Sequence, residues 1–142
     1  MRTIQQMFET AVYGLVKQGK PSRDKHGCKY RGPNDTRCAV GFLIEDDTLA
    51  QQMDQDVFSD GTGIKTIFEA IPHEVARALG CSTANDVPLD FLDELQGAHD
   101  NCLFNDADAS VFIRDWLEET RRLAWRWGLK MPADLEATEV TP

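Results

Sequence analysis

The chain reads as an α+β fold, a mostly helical single domain in which five to six helices surround a small antiparallel β-hairpin. Three observations lead there. Apolar residues recur at three- and four-residue spacing through several segments with good caps at their ends. One stretch, Cys28 to Ile44, departs from that rhythm and places a sharp turn between two short arms. The balance of 42% hydrophobic and 27% charged residues over 142 positions suits one core of ordinary size, neither two domains nor a disordered chain. We place the globular domain at residues 1–130. Residues 131–142 have no apolar period and are expected to form a disordered tail.

The first helix follows from Thr3 as cap, from Ile4, Met7, Phe8, Ala11, Val12 and Leu15 on one face, and from Gly19 as stop. Residues 20–27 contain Pro21 and several charges and read as a surface loop. In the hairpin, Gly32, Pro33, Asn34 and Asp35 have the composition of a reversing turn. A turn centred on Pro33 and Asn34 would set Tyr30 opposite Arg37 and bring Cys28 near Cys38. The run from Cys38 to Ile44 reads as a strand that turns helical near Val40, with Ala39 and Gly41 allowing close backbone approach.

Beyond the hairpin, Glu45, Asp46 and Asp47 precede a short helix through Thr48 to Met53, where carboxylates suit the positive end of a helix. Residues 54–63 read as a loop. Ile64, Ile67, Phe68 and Ile71 mark one helical face, and Pro72 opens another short helix that Gly80 ends. Pro88 starts a helix carrying Leu89, Leu92, Leu95 and Ala98. Asn105 to Ser110 cap a last long helix with Phe112, Trp116, Leu123 and Trp127 on its buried side, closed by Gly128. Trp125 falls away from that face. It is read either as a binding hot spot among Arg121, Arg122 and Arg126 or as packed on the first helix.

Charge is distributed unevenly. Residues 1–40 hold eight cations and three acids, residues 41–110 two cations and fifteen acids, and residues 111–142 five cations and six acids. The middle block carries −13 and dominates the total of −9. Such a field repels phosphates and attracts basic surfaces, so direct nucleic-acid binding is not expected. No apolar run reaches the roughly eighteen residues that span a bilayer, and the first residues are amphipathic. We expect a soluble cytoplasmic protein, away from membranes. Its four cysteines, unevenly spaced, read as thiols and not as a disulfide framework.

Few motifs carry chemistry. His26, Cys28, Cys38 and His99 are soft ligands, yet no close cysteine pair of the structural-zinc kind is present. A thiol enzyme would need Cys28 or Cys38 beside His99, with Asp100 as orienting acid. The acidic loops lack the ligand spacing of a calcium site, and no phosphate loop occurs. No cofactor is expected.

Phe8, the step Gln18-Gly19-Lys20, Ser22, Cys28, Tyr30-Arg31-Gly32 and Cys38-Ala39-Val40-Gly41 followed by Leu43-Ile44, with Gln96, His99 and Asp100 later on, carry a resemblance. In these the chain resembles a group of small bacteriophage and prophage proteins sharing a CxYRGP…CAVGxLI segment, a group without assigned activity. The resemblance implies a phage accessory protein in the cytoplasm of a bacterial host. With the charge layout, we expect a non-enzymatic inhibitor of a host macromolecule with a basic surface, such as an anti-defence or host-takeover factor or a nucleic-acid mimic. The expected contacts are Glu45, Asp46, Asp47, Asp54, Asp56, Asp60, Asp90, Asp93 and Glu94. Arg31, beside the turn, either pairs locally with Asp35 or is an exposed contact, for instance with a second copy in a homodimer. The alternative is a small zinc- or thiol-dependent module using His26, Cys28, Cys38 and His99.

Overall fold

The computed structural model describes residues 2–24, 27–55, 63–104 and 107–138. Among the described residues there are seven α-helices: α1 (Ile4–Gln18), α2 (Asp47–Met53), α3 (Ile64–Ala70), α4 (Pro72–Ala78), α5 (Leu89–Asp100), α6 (Ala109–Trp127) and α7 (Ala133–Thr138). Their ends follow local chemistry. Thr3 and Gln6 form a reciprocal capping box at the start of α1, and Gly19 ends it in the left-handed region at φ 76°. Asp46 caps α2 through the Leu49 amide, Asp108 caps α6 through Ser110, and Gly128 closes α6 at φ 66°. The longest helix, α6, lies on α1 and α5. Buried Trp116 donates its indole N–H to the Val12 carbonyl of α1, and Trp127 meets Phe91 of α5 edge to face at 5.5 Å.

The α+β class is overturned, for the molecule is helical. The hairpin expected over Cys28 to Ile44 does not form. Its turn exists, with Asn34 and Asp35 both at positive φ and the Gly32 amide bonded to the Thr36 carbonyl, but no ladder extends from it. After Ala39 the second arm coils into a 3-10 turn at Val40–Leu43. The one antiparallel pairing among the described residues lies earlier, Arg23 with Cys28 and Asp24 with Gly27, too short to make a sheet layer.

The reason lies in where the backbone groups go. The Asp54 carboxylate accepts the amides of Tyr30 and Arg31 at 2.8 and 3.0 Å. The Arg31 guanidinium donates to the carbonyls of Tyr30, Gly41 and Ile44. Gln18 accepts the Arg37 amide and donates to the carbonyls of Lys20 and Arg37, and Gln96 accepts the Val40 amide. Side chains from four places thus take up groups that a ladder would have used. Gly41 is needed here because a Cβ would stand 2.5 Å from the Tyr30 carbonyl oxygen.

Arg2 acts in a similar way, joining the carbonyls of Leu43 and Leu79. Past residue 130 the described residues include α7. Met131 and Leu135 are buried there, and the Tyr13 hydroxyl donates to Asp134. Among the described residues no helix is long and apolar enough to cross a membrane.

Candidate functional site

Among the described residues, two places are candidates for a site. The first surrounds Asp100 at the end of α5. Gln96 and Asp100 are four residues apart on the helix, so the Gln96 amide reaches the Asp100 carboxylate at 3.0 Å. The neighbouring His99 is fully buried, and its Nδ1 stands 2.9 Å from the same carboxylate oxygen. Cys28 lies in the short antiparallel pairing with Arg23 and hydrogen-bonds Asp100 through its thiol. Arg23 fastens this pairing by donating to the carbonyls of His99, Asp100 and Cys102 at the open end of α5.

One ligand atom from each of Cys28, His99 and Asp100 falls within 4.8 Å of the others. This is the convergence that a zinc or thiol module would need, but the protons are arranged for something else. The Ser22 amide donates to His99 Nε2 at 3.1 Å, so Nε2 is an acceptor and the ring proton sits on Nδ1, facing Asp100. Neither ring nitrogen has a lone pair left for a metal. If Nδ1 were a ligand, Nε2 would carry the proton and face the Ser22 N–H, setting two buried donors against each other.

The order of groups is thiol, carboxylate, imidazole. A thiol–imidazole relay puts the ring in the middle, so His99 is not placed to take the Cys28 proton. Burial, with the Asp100 bond, pushes the Cys28 thiol up to about 11, which keeps it protonated at neutral pH. Burial also pushes the Asp100 carboxyl upward. The bonds from His99, Cys28 and Gln96 outweigh that and hold it below the ordinary value. The cluster is an ionised carboxylate fixed by three donors. Cys38 is not one of the three converging groups; it is buried within reach of the Asp100 charge, with its sulfur accepting the Gly41 amide. His26 lies outside the described residues.

The second place is acidic. Glu45 and Asp46, before α2, and Glu74, on α4, line a cleft of about 390 Å³ together with Thr48, Leu49, Gln52 and Arg77. Glu45 and Glu74 are exposed and make no ion pair among the described residues. The other expected acids are mostly occupied. Asp47 pairs with Arg31 at 2.9 Å and Arg37 at 3.6 Å, Asp90 and Asp93 flank Lys65, and Glu94 pairs with Arg126. Asp54 is spent on the backbone. Burial pushes its carboxyl up despite the two amides it accepts. Asp56 and Asp60 lie outside the described residues.

Arg31 is not an exposed tip. Its side chain is 12% exposed, and its partners are three carbonyls and Asp47, not Asp35. Sequence reasoning found Cys28, His99 and Asp100 but missed Ser22, whose backbone amide decides the His99 tautomer. It also missed Glu74, which became visible as a partner of Glu45 only when α4 folded beside α2. No protein-family model, curated protein or solved structure matches the chain.

Proposed function

We propose that the protein works without chemistry of its own, as an inhibitor that occupies the basic surface of a host macromolecule. One observation carries this reading. Glu45, Asp46 and Glu74 line a single cleft against one cation, Arg77, while the other described acids of the expected set are engaged inside the molecule. Two carboxylates without an ion pair among the described residues can receive a lysine or arginine from outside, and the net −9 of the chain steers such a partner inward. A protein that normally holds nucleic acid has that kind of surface, so displacement of nucleic acid is the expected mode of inhibition. The phage-type resemblance of residues 1–47 agrees with a bacterial host.

Retention of proteins from a bacterial lysate tests this reading. A partner should stay on the immobilised protein in low salt, weaken in moderate salt, and be lost from the Glu45→Lys/Glu74→Lys variant. A partner indifferent to both changes, or no partner at all, would refute it.

A zinc- or thiol-dependent module has one observation in its favour, the convergence of Cys28, His99 and Asp100. The Ser22 bond to His99 and the raised thiol oppose it. Elemental analysis separates the two readings, since a zinc equivalent in the purified protein, with loss of fold on chelation, would favour the module.

A further inference from the structure

The outward side of α6 presents a large apolar side chain that none of the described residues covers. Trp125 is 85% exposed. At about 100° per residue it lies on the same stripe as Arg114, Glu118 and Arg121, spaced four, three and four residues apart and opposite the buried Phe112, Trp116 and Leu123. An exposed tryptophan ringed by arginine and glutamate has the composition of a binding hot spot and its polar rim.

We infer that this stripe is the contact between two copies of the chain, paired antiparallel through α6 about a two-fold axis. The stripe reads Arg-Glu-Arg-Trp in one direction, and in an antiparallel pair each residue meets its mirror position. Arg114 then meets Trp125 of the partner subunit, and Glu118, which already holds Arg122 of its own helix at 2.6 Å, shares its carboxylate with the half-buried Arg121 of the partner subunit. Each contact occurs twice, as an isologous interface requires. The arginine lies on the indole face, where a cation is attracted to the ring, and the glutamate meets a guanidinium.

Other occupants fit less well. A phosphate backbone or an acidic protein laid along the stripe would bring like charge onto Glu118, half-exposed at 50%. A strongly basic partner would face Arg114 and Arg121. The stripe is complementary to itself because it carries both signs in an order that reverses onto itself. Self-pairing here also leaves the acidic cleft open, as none of its residues lies on α6.

Light scattering on the eluting full-length protein over a concentration series decides the matter. The mass is expected to rise toward twice 16.0 kDa. Trp125→Ala and Glu118→Arg are expected to weaken self-association about tenfold or more with unchanged helical circular dichroism, because Trp125 is exposed and Glu118 half-exposed. Combining Glu118→Arg with Arg121→Glu exchanges the charges and should restore the dimer. A wild-type protein that stays monomeric at every concentration overturns the inference. So does a dimer indifferent to these substitutions, or a monomer that uses Trp125 to hold some other protein.

Discussion

At Arg31 one side chain does the work that a strand would have done. Its planar fork satisfies three carbonyls on two segments at once, and only 12% of it is open to water. Removing it leaves buried acceptors unpaired, so Arg31→Ala is expected to destabilise the fold by about 2–4 kcal/mol. Arg31→Lys should recover little, since a single ammonium does not reproduce the fork. By contrast, Asp47 is 63% exposed, and Asp47→Ala should cost no more than about 1 kcal/mol. Urea denaturation of the three variants checks the ranking. An Arg31→Ala protein as stable as the wild type would return the residue to a surface role.

At the scale of elements, two helical glycines look alike in sequence and are expected to behave in opposite ways. Alanine normally gains about 0.5–1 kcal/mol over glycine inside a helix. Gly97 on α5 has nothing within 4 Å of the added methyl position, so Gly97→Ala should be stabilising by about that amount. On α1, a methyl at Gly14 would stand 2.7 Å from the Phe42 ring, and Gly14→Ala should destabilise because the ring must move. Thermal melts that shifted in the same direction for both would contradict this packing.

The helices were legible because their signals are local. Thr3 with Gly19, Pro72 with Gly80, and Gly128 mark their own ends. The segment from Cys28 to Ile44 was not legible as what it is. Its turn chemistry and apolar arm satisfy every local rule for a hairpin, while the groups that prevent a ladder come from Gln18, Asp54 and Gln96. The candidate site was half legible for the same reason. Residue type marked Cys28 and His99, but the order of donors around Asp100 depends on a backbone amide 77 positions from His99.

For the whole molecule, the thiols of Cys28, Cys38 and Cys102 define an alkaline limit. Burial pushes Cys28 up to about 11, Cys102 up to about 12, and Cys38 upward as well, from an ordinary 9.0. A group whose folded value is raised contributes stability that is complete below its unfolded value and is lost as pH rises through the folded one. Stability should therefore hold up to about pH 9 and decline above it as thiolates form in the unfolded chain. Cys102→Ser keeps a donor for the Ala98 carbonyl and removes one titration. Its alkaline decline is expected to be shallower, and a decline parallel to the wild type would show that Cys102 does not contribute.

The molecule as a whole offers two candidate places of action, the cleft of Glu45, Asp46 and Glu74 and the cluster of Cys28, His99 and Asp100. Their roles separate under a single comparison. The proteins retained from a bacterial lysate are measured side by side for the wild type, Glu45→Lys/Glu74→Lys and Cys28→Ser, each verified as folded. The expected result is that Cys28→Ser keeps the wild-type partner, since serine can still donate to Asp100, while the cleft variant loses it. Retention by the cleft variant together with loss in Cys28→Ser would contradict electrostatic capture and place the action at the thiol.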